Sequence, residues 1–210
     1  MTNREHFDAK AQEWDEHPGK RKVAQVFVDE LQKNVPLLPT MDLLEFGCGT
    51  GLVSTKLRHL VASITLLDTS AGMIEVLQQK IAHHEISNMH PRLGDLSVID
   101  PAKESFDLIY SNMALHHVVN PDQTLAELVQ LLNPGGVLCI GDLETEDGSF
   151  HQNEMQVHHG FDYQHLASIL VNFGLVVENC YNSHTMQRAD SKGRLRDYPL
   201  FFLQVRKPAC

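Results

Sequence analysis

Leu43-Leu44-Glu45-Phe46 followed by Gly47-Cys48-Gly49-Thr50-Gly51 constrains this chain more than any other stretch. The first four residues, three of them apolar, predict a buried strand. Three glycines at alternate positions then predict a tight turn that leads into a helix. Glycine reaches positive φ freely and has no Cβ, so the backbone can pass very close to a bound group. A strand, a glycine turn and a helix N-terminus in that order suit the carboxyl end of a parallel sheet, where nucleotide-type ligands sit.

The rest of the chain supplies such a sheet. Phe7, Ala11 and Trp14 repeat at helical spacing, and Val23, Val26, Phe27 and Leu31 predict a second helix over Lys20 to Asn34. Pro36 and Pro39 break it. Strands are then expected at Asp42 to Phe46, Ser63 to Leu67, His90 to Leu93, Phe106 to Tyr110 and Val137 to Gly141. Helices alternate with them near Leu52 to His59, Ala71 to His83 and after Asn120-Pro121. Asn120 as N-cap, Pro121 in the first turn and Gln123 form a strong helix start, with Leu125, Leu128 and Leu132 on its inner face. Asp162 caps a last helix with Leu166, Ile169, Leu170 and Phe173 facing inward, ended by Gly174. Leu175 to Tyr181 and Pro199 to Val205 read as strands joined by a polar loop, hence antiparallel to one another. This alternation implies an α/β fold, a mostly parallel sheet with helices on both faces.

At 210 residues the chain suits a single domain spanning 1–210. Residues 1–34 are expected as a helical cover and residues 142–160 as a lid-like polar insertion. Net charge is −10, which disfavours a nucleic-acid partner. Cys48, Cys139, Cys180 and Cys210 are widely spaced with no CxxC pair, which favours reduced thiols. The start Met-Thr-Asn-Arg-Glu-His lacks an apolar signal region, and no apolar run approaches membrane-spanning length. A cytoplasmic location without membrane insertion is therefore expected; the oligomeric state is left open.

The glycine turn departs from the dinucleotide fingerprint, because Leu52 stands where its last glycine belongs, and no lysine completes a phosphate cradle. Asp68, about twenty residues on at the end of the second strand, suits hydrogen bonds from ribose hydroxyls. Gly94-Asp95-Leu96 follows the third strand; Asp95 would accept from an adenine amine and Leu96 would lie against the ring. Ser111-Asn112-Met113 follows the fourth strand and adds to the same pocket. Glycine turn plus acid at this spacing points to an adenosine-like ligand.

With these residues in order, the chain resembles the class I S-adenosylmethionine-dependent methyltransferases. The resemblance rests on Glu45 and the G-x-G-x-G turn, LLDTSAGMI, GDL, FDLIYSNMALHHV and LLNPGGVLCIGDL, over Asp42 to Leu143. It is weaker in HHGFDYQHLASILVNFGL and the last strand. It implies a Rossmann-like seven-stranded sheet whose last strand is antiparallel, and S-adenosylmethionine as cofactor. By the same resemblance Gly47, Cys48, Gly49 and Gly51 line the methionine part, and Glu45 engages its amino end directly or through water. Asp68 holds the ribose, with Thr69 and Met73 beside the adenosine and Asp95 and Leu96 framing the adenine. Asn112 and His117 lie by the methionine moiety, and Trp14 closes over the cofactor.

The expected activity is methyl transfer to an O, N, S or C nucleophile of a small molecule. One compact domain leaves little room for a macromolecular recognition module. Such chemistry needs alignment and water exclusion, and a base only where the nucleophile must lose a proton. His116, His117, His158 and His159, with His151, are the candidate catalytic groups. A metal site built from Asp142, Glu144, Asp147, His151, His158 and His159 lacks firm ligand spacing, and a solvated lid without metal is the preferred reading. Two other readings stay open: a cofactor-binding protein without turnover, and a nicotinamide-dependent dehydrogenase, against which Leu52 counts.

Overall fold

The computed structural model describes residues 2–151, 157–189 and 193–209. Cys210 and residues 152–156 of the expected insertion lie outside the described residues. The helices are α1 (Asn3–Lys10), α2 (Pro18–Asn34), α3 (Ser54–Leu57), α4 (Ala71–His83), α5 (Pro121–Gln130) and α6 (Tyr163–Asn172). The strands are β1 (Asp42–Phe46), β2 (Ser63–Asp68), β3 (Met89–Leu93), β4 (Phe106–Asn112), β5 (Leu132–Leu143), β6 (Val176–Ala189) and β7 (Leu195–Arg206). They form one sheet in the order β3-β2-β1-β4-β5-β7-β6. The pairs β1–β2, β1–β4, β2–β3 and β4–β5 are parallel, and β7 runs antiparallel to both β5 and β6. The chain order reverses between β1 and β4, so their carboxyl ends flank a crevice. No helix among the described residues is long and apolar enough to cross a membrane.

Period two divides each strand's apolar run between two covered faces. Leu44, Ile109, Leu138 and Leu203 pack with Leu125, Leu128 and Leu170 of α5 and α6. Leu43, Leu108, Cys139 and Phe202 pack with Phe27, Leu31 and Leu77 of α2 and α4 on the other side. A smaller cluster of Val23, Leu143, Phe150, Tyr198 and Leu200 closes the end of β5.

Several expected boundaries move. The polar insertion begins at Glu144, because Asp142 and Leu143 are buried residues of β5 paired with β7. Leu132 is buried from β5, opposite Phe106, rather than from the inner face of α5, which ends at Gln130. Phe173 is 39% exposed, since it stands at the C-cap of α6, past the last inward turn. The polar stretch expected as a loop before Pro199 continues the β6–β7 ladder as far as Ala189 opposite Leu195. That hairpin is largely exposed and polar, so it carries no apolar alternation to announce it.

The N-terminal segment is a capped α-helix followed by a 3₁₀ turn over Ala11–Glu16. It is held down by carboxylates rather than by a broad apolar face. Asp8 accepts from Ser70 Oγ at 2.5 Å and from the Gly72 N–H at 2.9 Å, so it satisfies an orphan donor at the start of α4. Those two bonds hold its carboxyl below the ordinary aspartate range. Asp8→Ala should therefore lower stability by about 1 kcal/mol, the usual worth of a helix N-terminal cap, as read from the urea midpoint. An unchanged midpoint would show that the segment is not anchored there.

Candidate functional site

A cavity of about 830 Å³ lies over the carboxyl ends of β1, β2 and β4. Its floor is the glycine turn. Gly47, Gly49 and Gly51 have φ values of +71°, +52° and +77°. Gly47 meets the chain leaving β4: a Cβ there would stand 2.3 Å from Ala114 Cβ. Gly49 is less crowded: a Cβ there would touch Met73 Sδ and Trp14 Nε1, each at 3.9 Å, an ordinary van der Waals distance. That gap between a thioether and an indole is a cradle a side chain would fill. The N–H groups of Gly47 and Cys48 both donate to Leu67 O, so β2 holds the turn closed.

Asp68 sets the geometry of the turn. Its Oδ2 accepts from the Gly49 N–H at 2.7 Å and its Oδ1 from the Ser70 N–H at 2.9 Å. Burial nevertheless pushes its carboxyl above the ordinary range. Asp95 caps the 3₁₀ turn Leu96–Val98; its Oδ1 accepts from Ser97 Oγ at 2.6 Å and Ser97 N–H at 3.0 Å. The Ser97 bonds lower its pKa.

The cavity brings together Trp14, Gly47, Gly49, Asp68, Thr69, Met73, Asp95, Leu96, Met113 and His117 of the expected set. Glu45, Cys48, Gly51 and Asn112 do not border it. Glu45 lies behind the turn, 3% exposed, where its carboxylate accepts from the Ser54 hydroxyl. Ser54 Oγ also meets Tyr110 Oη at 2.6 Å. Burial raises the Glu45 pKa to about 8. Cys48 is buried and its thiol is pushed up by the same desolvation. Gly51 backs onto Leu77, and Asn112 Oδ1 approaches Gly141 on the α2 side.

Three contacts escaped the sequence reading because their partners are distant in the chain, and the backbone angle of Met113 is a fourth feature it did not show. Phe7 enters the cavity wall and meets His117 edge-on at 4.9 Å. Lys80 binds Asp15 at 2.5 Å and Thr50 O at 2.6 Å, which ties the N-terminal 3₁₀ turn to the glycine loop. Met113 adopts φ +56°, a costly value for a side-chain-bearing residue, and turns β4 outward into the Leu115–His117 turn. Asp142, at the end of β5, bonds His116 Nδ1 at 2.5 Å, both side chains 1% exposed.

The histidine candidates divide. His117 lines the cavity, and its buried Nδ1 has no hydrogen-bond partner among the described residues. Burial, with His116 and His151 nearby, holds its pKa well below the ordinary value. Burial likewise lowers His151 to about 3. His158 and His159 are exposed and do not border the cavity. They serve loop closure: His158 N–H donates to His116 O at 2.8 Å, and His159 O accepts from Glu146 N–H at 2.8 Å.

Residues 44–140 match the family model described as a methyltransferase domain. The chain is 30% identical over 151 residues to an uncharacterised methyltransferase of Schizosaccharomyces pombe, covering 64% of this chain and 53% of that protein. It is 32% identical over 145 residues to a malonyl-[acyl-carrier protein] O-methyltransferase of Hahella chejuensis, covering 68% and 50%. The chain thus spans about half the length of the curated relatives it matches. The N-methyltransferase NodS of Bradyrhizobium japonicum, solved with S-adenosyl-L-homocysteine, shares the fold at a TM-score of 0.71 and 17% identity, over 99% of this chain and 100% of that one. The glycine turn between β1 and α3, the acids ending β2 and β3, and the antiparallel β7 fall in one order in sequence and structure, and the chain is similar to S-adenosylmethionine-dependent methyltransferases, with residues 44–140 matching a methyltransferase domain.

Proposed function

We propose that this protein transfers a methyl group from S-adenosylmethionine to a nucleophilic atom of a small molecule. The observation that carries the reading is the cradle at Gly49, bounded by Met73 and Trp14 and continuous with a cavity reaching Asp68, Asp95 and His117. Its volume of about 830 Å³ falls in the range typical of small-molecule sites, roughly 300–1,000 Å³. When bound, the cofactor supplies a methyl group already activated on sulfonium sulfur.

The chain's own residues do the rest by position. Asp68 and Thr69 take the ribose, and Asp68 keeps lone pairs beyond those used by Gly49 and Ser70. Leu96 would lie against the adenine, and the remaining oxygen of Asp95 would accept from its amine. Trp14 and Phe7 line the cavity from the N-terminal segment and would exclude water from the transfer. Met113 and His117, where β4 ends, border the space left for the acceptor. Burial lowers the pKa of His117 and favours its neutral form, which is suited to accept or donate a hydrogen bond rather than to carry charge.

Calorimetric titration with S-adenosylhomocysteine should show micromolar binding, and titration with NAD should show none; the reverse pattern would sink the proposal. Asp68→Ala should weaken S-adenosylhomocysteine binding by about 1–3 kcal/mol, the cost of leaving buried polar groups unpaired. Equal affinity would confine Asp68 to holding the turn. A screen of small O-, N- and S-nucleophiles, read by S-adenosylhomocysteine release, identifies the acceptor. Binding without release for any class would favour a protein that holds the cofactor without turnover.

A further inference from the structure

Beside the cofactor cradle, the described residues gather three imidazoles on one spot. His116, His117 and His151 each offer a ring nitrogen, and these nitrogens all lie within 4.8 Å of one another. We propose that they form a binding site for a divalent transition-metal ion of the zinc class, with Asp142 orienting His116.

The arrangement has the parts such a site needs. Three imidazoles leave a fourth tetrahedral position open, as catalytic zinc sites do. A ligating histidine almost always gives its second ring N–H to a carboxylate or carbonyl, which sets the tautomer. Asp142 does this for His116. Its Oδ1 sits 2.5 Å from His116 Nδ1 and also accepts from the Leu143 N–H at 2.7 Å, while Oδ2 accepts from the His116 N–H at 3.2 Å. The proton is thereby placed on Nδ1, and His116 Nε2 is left with a lone pair. That lone pair faces His151 Nε2 at 3.0 Å. Two nitrogens each about 2.0–2.1 Å from a tetrahedral ion stand about 3.3 Å apart, so the pair needs only a few tenths of an ångström of widening. His117 supplies the third nitrogen, and its buried Nδ1 has no hydrogen-bond partner among the described residues. Buried polar atoms without partners are rare, and an ion is one of the partners that satisfies them.

The surrounding fold holds the three rings in place. His116 and His117 sit on the 3₁₀ turn Leu115–His117, with ring centroids 4.0 Å apart. His151 arrives from the other side, next to Phe150, which is 6% exposed and packs edge-on against Tyr198 at 5.1 Å. Ser149 Oγ and Tyr198 Oη, 2.8 Å apart, pin the same loop to β7. The His158 N–H bonded to His116 O draws the returning half of the insertion over the cluster. Several residues first weighed as ligands, Glu144, Asp147, His158 and His159, are absent from it. His151 is shared with that set, and Asp142 enters as the residue that orients a ligand.

His117 belongs to both the cluster and the cavity wall. The open position of the ion is therefore suited to water or to an acceptor hydroxyl or thiol, which gives its proton to solvent more readily when metal-bound. This use of the ion rests on the methyl-transfer reading; ion binding does not.

The test uses the whole 210-residue chain without a tag. Loading with Zn²⁺ followed by dialysis should leave one ion per chain, and Co²⁺ should give the intense ligand-field bands of a low-coordinate nitrogen site. His117→Ala and His151→Ala should each lose stoichiometric binding. Asp142→Asn should weaken it about 10–100-fold, the usual effect of removing a ligand's orienting partner. His165→Ala, on the exposed start of α6, should bind as the unaltered chain does. Less than stoichiometric Zn²⁺ in the unaltered chain, or full binding by both the His117 and His151 variants, overturns the site. S-adenosylhomocysteine titration of the same sample separates the two readings. Cofactor binding without the ion rejects the metal site alone, and ion binding without the cofactor rejects methyl transfer alone.

Discussion

Gly47→Ala should destabilise the protein by about 2–5 kcal/mol and remove measurable S-adenosylhomocysteine binding. Two separate costs add. Position 47 has φ +71°, a left-handed conformation that costs a side-chain-bearing residue about 1–2 kcal/mol. The new methyl would also stand 2.3 Å from Ala114 Cβ, an overpacking of the kind that costs about 1–3 kcal/mol. Ala114 cannot easily retreat. It follows Met113, whose N–H donates to Gly141 O at 2.8 Å, and its own carbonyl accepts from the His117 N–H at 3.1 Å. Relief must therefore come from the glycine turn, the part that shapes the cradle. Ala114→Gly in the same chain should recover the steric share and leave the backbone share. Gly49→Ala is the contrasting case, since its Cβ would meet Met73 and Trp14 only at ordinary van der Waals distance. Its stability loss should be only the backbone cost, while binding is lost as fully as at position 47. Urea denaturation and calorimetry read both quantities. A Gly47→Ala protein as stable and as competent as the parent would show that the turn is not held against β4.

Glu45→Gln should make the protein more stable than the parent at pH 8 and no more stable at acid pH. Burial raises the folded pKa of Glu45 to about 8, against 4.5 for the free side chain. Below about pH 4.5 both states carry the proton, and Glu45 contributes no pH dependence. Between about 4.5 and 8 the unfolded chain releases the proton while the folded chain keeps it, so rising pH favours unfolding. The parent should lose up to about 1.4 kcal/mol for each pH unit across that window relative to the glutamine variant. Above about pH 8 the difference levels off. Denaturation midpoints measured from pH 5 to 9 check the sign. Parallel profiles for the two proteins would mean that Glu45 is already ionised when folded. The same substitution should weaken S-adenosylhomocysteine binding if the cofactor's ammonium group draws on this carboxylate through the turn. Stability gained and affinity lost at one position is the expected signature of a strained functional site.

Reading the chain left to right recovers the features that are local. The strand–glycine–helix run at residues 43–51 announces β1 and its turn because positive φ and close approach leave glycine few substitutes. Asn120-Pro121 announces α5 because capping is a short-range bond. Asp68 and Asp95 are legible as strand-end acids because the alternation of strands and helices brings carboxyl ends to one edge. Leu132 was misassigned because helical spacing continues one residue past a helix that Leu131 ends, and a buried leucine satisfies either neighbour. The β6–β7 extension was missed because its stability comes from cross-strand pairs, not from an apolar face.

The sequence by itself determined the class of fold, the location of the pocket and the nature of the ligand it suits, since all three follow from short-range propensities repeated in order. Only the tertiary structure decided how the carboxylates are used. Glu45 is spent on Ser54 behind the turn, Asp68 on the N–H groups of Gly49 and Ser70, and Asp8 and Asp15 on tethering the N-terminal segment. It likewise turned His116, His117 and His151 from three polar residues of two loops into one cluster backed by Asp142. Contacts between residues 26 to 65 positions apart leave no periodic trace in a chain, because what selects them is the geometry of the folded sheet rather than any spacing along it.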